Sequence, residues 1–323
     1  MIFDGHCDIF TDVLRRRLCG ETQVLARRHL PLLRAGGISG GCLVLWVDPP
    51  FTANPAERMT ALLSAVAAEL SECSAAVLVK SAAEIEQALR NAQFPILLGV
   101  EGLSAIGEDV GGIDRLYDFG VRHAMLTWNE ANALATGAKG DPSRGLTAAG
   151  RRVLARIETR GMLVDVSHLN DRSFWDVLGA VHGPVVASHS NARALAPHPR
   201  NLTDEQLRAI AATGGLVGLN ANKNLVSPEP ALQTLDHFAR HAVHIAETIG
   251  TDYLALGFDF NEYLADDATQ SYNDGGNPNV PGLADASHTP AFIAKLQSAG
   301  FSAQELAQIT GQNWLRLIGE VVG

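Results

Sequence analysis

Two short segments of the chain end in the same pair of residues, a serine followed by a histidine. Leu163-Val-Asp-Val-Ser-His168 and Val185-Val-Ala-Ser-His-Ser190 each contain a β-branched, apolar run that is typical of a buried strand. Each histidine therefore stands at the carboxyl end of a predicted strand, where parallel barrels build their active sites. A single histidine in this position is more often structural. Two in the same context predict a metal site with His168 and His189 as ligands.

A third histidine and two carboxylates stand at the ends of two other predicted strands. The first strand ends in Asp4-Gly-His-Cys-Asp8, where alternation along a strand places His6 and Asp8 on the same side. The apolar run at 95–101 ends in Glu101, and a buried carboxylate is unfavourable unless a cation lies close to it. Helix capping by Asp8 and an arginine partner for Glu101 are the structural alternatives. Three histidines at the same rim favour a metal ion.

These five side chains predict a centre with two metal ions. Three imidazoles and two carboxylates exceed the ligands that one open zinc site takes from a protein. Two cations about 3.5 to 4 Å apart, bridged by Glu101, would share the ligands and leave room for a water between them. Such a water becomes hydroxide near neutral pH and can attack a carbonyl, so metal-assisted hydrolysis is the predicted reaction. Two Zn²⁺ per chain suit these ligands, which also accept manganese, iron or cobalt.

Two further polar residues follow predicted strands at the same rim. Asp259 ends the eighth strand and is a further ligand, a capping residue or a group that moves a proton from the attacking water to the leaving amine. Arg200, in His198-Pro-Arg-Asn201, is either a solvated surface charge or a bidentate fork for a substrate carboxylate.

The composition is that of a globular protein with a large core. The chain has 323 residues, of which 46% are hydrophobic, and its formal charge of -10 is not concentrated in any block. This pattern makes nucleic acid an unsuitable partner. The four cysteines lie in the first quarter without a CxxC pair, which predicts reduced thiols. We find no pattern of a signal peptide and no apolar run of about 18 residues, so we expect a cytoplasmic protein with no membrane segment.

Short apolar runs alternate with segments of helical period, which predicts βα units and a parallel sheet. The α/β fold expected is a (β/α)8 TIM-type barrel of the metal-dependent hydrolase type, in one domain over 1–323. An open doubly wound sheet uses the same units, but no GxGxxG follows the first strand. A long loop at 262–290 is expected over the barrel mouth, and a C-terminal helix at 302–321. The predicted strands are 2–8, 41–48, 95–101, 123–128, 163–168, 185–189, 215–219 and 254–259, and the predicted helices are 55–74, 82–91, 113–119, 147–160, 171–181, 203–212 and 232–249.

Several motifs, in the same order along nearly the whole chain, resemble those of the membrane dipeptidase (renal dipeptidase) family of zinc metallopeptidases, which have amidohydrolase-like barrels. The matching segments are Asp4-Gly-His-Cys-Asp8, Gly99-Val-Glu-Gly102, Leu163-Val-Asp-Val-Ser-His168, Ala187-Ser-His-Ser190, His198-Pro-Arg-Asn-Leu202, Gly257-Phe-Asp-Phe260 and Gly311-Gln-Asn-Trp-Leu-Arg316.

The resemblance implies a binuclear zinc site and a dipeptide substrate. It implies that His6 and Asp8 bind one metal, that Glu101 bridges, and that His168 and His189 bind the other. By the same resemblance, Arg200 holds the terminal carboxylate of the dipeptide and Asp259 handles the proton. A D-residue or glycine at the C-terminal position of the substrate, and a homodimer, are further expectations from the family.

One residue departs from the family pattern. Relatives carry a histidine that contacts the scissile carbonyl, whereas this chain has Trp128 in Leu126-Thr-Trp-Asn129. An indole has one N–H donor and cannot be protonated, so Asn129 or Asn132 is an alternative donor to the oxyanion, and core packing is an alternative role for Trp128. The substitution leaves two other functions open: a dimetal hydrolase acting on N-acyl amino acids or lactones, and a metal-binding relative without turnover.

Overall fold

Eight parallel strands follow one another in chain order around a nearly closed barrel, as the sequence predicts. The computed structural model describes residues 1–273 and 275–323. A further short strand, β3, pairs with the start of β4 outside the barrel order. Over the described residues the strands are β1 (Ile2–Cys7), β2 (Ile38–Trp46), β3 (Ala76–Leu78), β4 (Phe94–Glu101), β5 (Val121–Met125), β6 (Leu163–Asp165), β7 (Val185–Ala187), β8 (Leu216–Leu219) and β9 (Leu254–Leu256).

Helices connect the strands and cover the outside of the barrel. Their starts follow local sequence: Thr203 and Gln206 form the capping box that their spacing predicts. No helix in the described ranges is both long enough and apolar enough to cross a bilayer. The α-helices described are α1 (Ile9–Leu18), α2 (Leu30–Ala35), α3 (Pro55–Glu72), α4 (Ala82–Arg90), α5 (Gly111–Phe119), α6 (Ala148–Thr159), α7 (Asp171–Leu178), α8 (Asp204–Ala212), α9 (Lys223–Val226), α10 (Leu235–Ile249), α11 (Asp266–Thr269), α12 (Thr289–Ser298), α13 (Ala303–Ala307) and α14 (Asn313–Val321).

Alternation along the strands divides the core into two apolar layers. One set of strand side chains, including Phe3, Val44 and Leu97, fills the barrel interior together with Trp314 of α14. The alternate set packs against the surrounding helices. Trp314 lies so close to β1 that a Cβ on residue 5 would be 2.2 Å from its ring, which explains the glycine there. The interior is therefore packed at one end, and the predicted metal ligands lie at the other.

The barrel closes between its first and last strands without a regular ladder. In residues 1–273 and 275–323, β1 and β9 form no strand pairing, and we call this junction the seam. The backbone N–H of Phe258 donates to Asp4 Oδ1 at 2.9 Å, and the N–H of Asp259 donates to the His6 carbonyl at 3.3 Å. On the same side, Trp314 Nε1 donates to the Leu256 carbonyl at 2.9 Å. Isolated hydrogen bonds, two of them made by side chains, thus replace a regular backbone ladder at the seam.

Several strands end earlier than the sequence predicts. β6 ends at Asp165 and β7 at Ala187, so His168 and His189 lie in the turns that follow and not in the strands themselves. The cause is the Asp165 carboxylate, whose Oδ1 accepts the backbone N–H groups of Ser167 at 2.8 Å and Ser188 at 3.2 Å. A side chain therefore satisfies donors that a continuing strand would pair with its neighbour.

Other differences concern short elements. The patterns in the sequence do not predict β3, which has three residues, or the helices α1, α2, α9, α11 and α12. The expected loop at 262–290 includes α11 and a 3₁₀ turn at Ala286–His288, and α12 begins at Thr289; Asp274, within the same range, lies outside the described residues. Where the final helix is expected, α13, a π-helical turn at Gln308–Gln312 and α14 follow one another directly.

Candidate metal centre

The five predicted ligands meet at the carboxyl end of the barrel. His6 Nε2 lies 3.5 Å from Asp8 Oδ2 and 3.7 Å from Glu101 Oε2. On the other side of Glu101, its Oε1 lies 2.7 Å from His168 Nε2 and 3.7 Å from His189 Nε2. All five side chains are buried. Glu101 therefore stands between two groups of donors, with one carboxylate oxygen directed at each.

The hydrogen bonding of this cluster fits bound cations. Both ring nitrogens of His6 and Oδ1 of Asp8 are buried without a hydrogen-bond partner, which is rare for polar atoms in proteins. Asp8 precedes α1, but its side chain makes no capping bond, so the capping alternative is wrong. Glu101 has no arginine within salt-bridge distance among the described residues, and its close cationic partners are histidines.

The two histidines of the second group point their Nε2 atoms at each other. These atoms are 2.8 Å apart, and His168 Nδ1 lies 2.9 Å from Asn129 Oδ1. An amide oxygen can only accept, so Nδ1 of His168 carries the proton and its Nε2 presents a lone pair. A metal ion is the natural partner of a lone pair that faces a carboxylate and a second imidazole.

Asp259 adjoins the same cluster. Its Oδ1 lies 4.0 Å from His6 Nε2, and its Oδ2 accepts a hydrogen bond from Asn220 Nδ2 at 2.9 Å. Two sets of potential ligand atoms have all members within 4.8 Å of one another: His6, Glu101 and His189, and His6, Asp8 and Asp259. Asp259 is thus within reach of a metal held by His6 and Asp8, and Asn220 orients its carboxylate.

Burial makes the cluster electrostatically unfavourable without added positive charge. Burial raises the pKa of Glu101 to about 8, and repulsion from Asp8 adds to the effect. Burial likewise raises the pKa of Asp259 to about 7. Burial alone would lower the pKa of His6, but Glu101 and Asp8 outweigh it and hold that pKa well above its usual value. Divalent cations would relieve the repulsion among these carboxylates.

Two further buried aspartates, Asp4 and Asp165, hold the backbone beneath the ligands, and we call them the bracket carboxylates. Asp4 Oδ1 accepts the N–H of Phe258 at 2.9 Å and that of His6 at 3.4 Å, so it links the first ligand to the last strand. Asp165 joins the turns that carry His168 and His189, as described above, and its Oδ2 lies 2.7 Å from His123 Nε2. Each bracket carboxylate therefore positions two ligand-bearing segments at once.

Two of the site residues adopt a strained backbone. His168 has φ 70° and Asp259 has φ 58°, in the left-handed region that L-residues rarely occupy. Such conformations are unfavourable by about 1 to 3 kcal/mol and cluster at functional sites. The hydrogen bonds to Asn129 and Asn220 help to hold the two side chains in place.

The ligands open into a cavity of about 240 Å³ that Arg200, Trp128 and Asn129 also line. Arg200 is only 7% exposed, yet within the described residues its guanidinium makes a single hydrogen bond, from Nη2 to the His189 carbonyl at 3.4 Å. Burial lowers the pKa of Arg200 to about 10. Within the described part of the chain no carboxylate lies at salt-bridge distance from it, so the surface-charge alternative is wrong and the cation is available to an anion in the cavity.

Trp128 and Asn129 form one wall of the cavity. The Trp128 ring is half-buried and packs against Trp46 at 5.1 Å, His168 at 6.1 Å and Tyr272 at 6.2 Å between ring centroids. It therefore faces the site and not the core. Asn132, the other donor suggested by the sequence, does not line the cavity; its Nδ2 donates to the Leu126 carbonyl at 2.7 Å, and its Oδ1 accepts two backbone N–H groups.

The sequence analysis missed several residues of the cavity. Asn220 directly follows β8, and this strand-end position is a signal that could have identified it. His198 also lines the cavity. No sequence pattern marks the loop residues, because they reach the mouth from distant segments: Lys139 donates through Nζ to the Ser271 carbonyl at 2.6 Å. The additional lining residues are Trp46, Ala138, Lys139, His198, Pro199, Asn220, Asn222, Asn224, Leu225, Asn261, Ser271 and Tyr272.

Comparison with known proteins agrees with this geometry. A sequence model of the membrane dipeptidase family (peptidase family M19) matches residues 1–322. The fold is similar to that of a metallopeptidase from Rhodobacter sphaeroides, solved with a phosphinate mimic of the dipeptide L-Ala-D-Ala, with a TM-score of 0.87 and 25% identity over 100% of this chain and 99% of that one.

Two curated relatives extend the comparison. An uncharacterised dipeptidase of Schizosaccharomyces pombe is 34% identical over 233 residues, which are 71% of this chain and 53% of that protein. An uncharacterised protein of Klebsiella pneumoniae, from the pqqA 5' region, is 33% identical over 250 residues, or 75% of this chain and 87% of that one. The match thus spans about half the length of the yeast protein. The chain belongs to the membrane dipeptidase family of metallopeptidases.

Proposed function

We propose that the protein is a binuclear zinc dipeptidase that cleaves small dipeptides with a free C-terminal carboxylate. One observation carries the proposal: within the described residues, a cluster of buried potential metal ligands with unpartnered atoms and a buried arginine without a carboxylate partner lie at the same small cavity. The potential metal ligands suit metal-assisted hydrolysis, and the arginine suits the binding of a substrate carboxylate. Membership of the family and the dipeptide mimic bound to the Rhodobacter sphaeroides relative support the same substrate class.

Each site residue has a role in this proposal. His6 and Asp8 would hold one metal, His168 and His189 the other, and Glu101 both. When bound, the metal ions would supply Lewis-acid chemistry, which activates a water at neutral pH and polarises the scissile carbonyl. Arg200 would bind the terminal carboxylate and thereby fix the position of the peptide bond.

Asp259 would carry the proton. Its Oδ2 is occupied by the Asn220 donor, which leaves Oδ1 directed towards His6 and the attacking water. It would accept the proton that the water releases and deliver it to the nitrogen of the breaking peptide bond. A metal-binding protein without turnover has no need of a carboxylate that is held in this way on a left-handed backbone, so this feature favours an enzyme.

Substrate preference is the finer part of the proposal. We infer from the family, and from the L-Ala-D-Ala mimic in the relative's structure, that a D-residue or glycine is accepted at the C-terminal position. A second candidate substrate class, N-acyl amino acids or lactones, is favoured by the apolar wall that Trp128 and Trp46 present to the cavity. We also propose a cytoplasmic location, in keeping with four free cysteines, and a homodimer; cell fractionation and light scattering test these two points.

The test combines metal content with substrate range. Purified protein should contain about two metal ions per chain, mainly zinc, and should hydrolyse L-Xaa-D-Xaa or Xaa-Gly dipeptides. Turnover of N-acyl amino acids alone would favour the second candidate. Failure to bind metal even after reconstitution with zinc or manganese would contradict the proposal. An Arg58→Met variant, which alters a buried residue away from the cavity, controls for general effects of core substitution.

A further inference from the structure

The orientation of one amide at the cavity wall is determined by a metal ligand. His168 Nε2 is directed at Glu101 and His189, so its Nδ1 carries the hydrogen and donates to Asn129 Oδ1 at 2.9 Å. Since the oxygen of this amide is occupied by His168, the Nδ2 group is turned away from the ring. Asn129 is only 6% exposed and lines the cavity, so its amide has little freedom to rotate.

The backbone of this residue is fixed as well. The N–H of Lys139 donates to the Asn129 carbonyl at 2.8 Å, and the N–H of Ala138 donates to the His168 carbonyl at 2.7 Å. The segment 137–139 therefore ties Asn129 and His168 to each other from above. Because its backbone and its side-chain oxygen are both held, the Nδ2 donor of Asn129 is preorganised. Stabilisation of a developing negative charge requires such a preorganised donor.

Most other side-chain amides near the centre already have partners for their N–H groups. Asn220 Nδ2 donates to Asp259, Asn224 Nδ2 to the Tyr272 carbonyl and Asn132 Nδ2 to the Leu126 carbonyl. No partner within residues 1–273 and 275–323 is recorded for Asn129 Nδ2, although this atom belongs to a buried residue beside the metal ligands. The indole N–H of Trp128 is the competing donor on the same wall.

We propose that Asn129 is a catalytic residue whose Nδ2–H donates to the oxygen of the scissile carbonyl and stabilises the oxyanion. The inference rests on the proposed function. As water oxygen bonds to the carbonyl carbon, the π electrons move to the carbonyl oxygen and the water proton passes to Asp259. Asn129 donates a hydrogen bond to that oxygen and transfers no proton. The carbonyl then re-forms, the C–N bond breaks, and Asp259 returns the proton to the amine.

Two substitutions separate this role from the support of His168. Asn129→Asp keeps an acceptor for His168 Nδ1–H, but it removes the donor and places an anion near the oxyanion. Asn129→Ala removes both functions. With metal at saturation, we expect kcat to fall about 100-fold or more in both variants. The KM for dipeptides should change by less than about threefold, because the donor acts mainly on the transition state.

The decisive readout is the affinity for a phosphinic dipeptide analogue, measured by calorimetry on zinc-saturated protein whose metal content is determined in the same sample. A phosphinate carries a tetrahedral anionic centre, so its affinity should fall by about the same factor as kcat in both Asn129 variants. If both variants bound the analogue within threefold of the wild-type protein, the proposal would be overturned, whatever happened to their affinity for zinc.

Trp128→Phe is the matched competitor, because it removes the indole N–H and keeps an aromatic ring. We expect it to alter KM and analogue affinity by similar factors, since it changes the wall of the cavity and not the oxyanion donor. Suppose instead that Trp128→Phe loses affinity for the analogue without a matching change in KM, while both Asn129 variants bind the analogue as tightly as the wild-type protein does. That result would assign the donor to Trp128 and overturn the inference. A wild-type protein that neither bound the analogue nor cleaved dipeptides would instead contradict the proposed function.

Discussion

Replacement of Arg200 by methionine should make the protein more stable and less active. In the free enzyme this cation is 7% exposed and has a single long hydrogen bond. Burial holds its pKa at about 10, against an ordinary value of 12.5. At 1.36 kcal/mol per pKa unit, keeping the guanidinium charged in the folded protein costs about 3 kcal/mol. Arg200→Met removes this cost and fills a similar volume.

The sign of the pH dependence follows from the same pKa. Because the pKa of Arg200 is lower in the folded chain than in the unfolded chain, the unfolded chain binds the proton more tightly. The destabilisation is therefore complete below about pH 10 and fades as the pH rises towards 12.5. At pH 7.5 the variant should show an increase of about 1 to 3 kcal/mol in the free energy of unfolding.

Activity should change in the opposite direction. Two hydrogen bonds between the guanidinium and a substrate carboxylate contribute about 3 to 5 kcal/mol together. Their loss should lower kcat/KM for dipeptides by about 100- to 4000-fold, at about 1.4 kcal/mol for each factor of ten. The assays are urea unfolding with saturating zinc and steady-state hydrolysis of the best dipeptide from the panel.

Arg58 is the matched control for this experiment. It is also 7% exposed, but it makes a bidentate ion pair with Asp48, at 2.8 and 3.0 Å. Removing one member of a buried pair is destabilising, so Arg58→Met should lower the free energy of unfolding by about 3 kcal/mol and leave kcat/KM within a few-fold. Lower stability of Arg200→Met than of the wild-type protein, or a kcat/KM within tenfold, would refute the reasoning.

Three further changes test other parts of the structure. Asp259→Asn should lower kcat by at least about 1000-fold while zinc content is retained, because an amide cannot take up the proton; turnover near the wild-type rate would exclude this role. Asp165→Asn should weaken zinc binding by about 10- to 100-fold in a competition titration, since a bracket carboxylate orients two ligands; an unchanged affinity would contradict that function. His241 is buried, with Nδ1 accepting from Ala192 N–H and Nε2 facing the Val226 carbonyl, and burial lowers its pKa to about 4. Because this pKa lies below the unfolded value of 6.5, the free energy of unfolding should fall as the pH drops from 6.5 towards 4. Urea unfolding of the metal-free proteins should show a loss about 3 kcal/mol larger in the wild-type protein than in His241→Asn. An equal loss of stability in the two proteins would indicate that His241 does not contribute.

The parts of the site that follow from strand geometry were predictable from the sequence. Alternation along β1 is enough to place His6 beside Asp8, and a buried run that ends in Glu101 is enough to require a cation nearby. The parallel barrel then brings these groups to one rim with His168 and His189. Such inferences need only the period of a strand and the direction of its neighbours.

The rest depended on contacts between distant segments. Nothing near Arg200 in the sequence indicates that its guanidinium has no carboxylate partner among the residues that the structure describes. Asn132 forms its hydrogen bonds within the local turn, and these bonds exclude it as a donor to the oxyanion. They are known only from the structure. The ends of β6 and β7 were misjudged for a similar reason, because the Asp165 side chain competes with the strand ladder. Side-chain hydrogen bonds to the backbone are specified by tertiary structure, and periodicity does not report them.

The seam has a consequence for the order of events during synthesis. His6 and Asp8 are translated some 250 residues before Asp259, since β1 and β9 are the first and last strands of the barrel. At about 5 to 20 residues per second, the first ligands wait at least about 10 seconds on the ribosome for the strand beside them. Until β9 arrives, the edge of β1 is unpaired and open to other strands, which favours aggregation. The hydrogen bonds from Phe258 to Asp4 and from Asp259 to His6 would then be the step that completes the barrel and covers this edge.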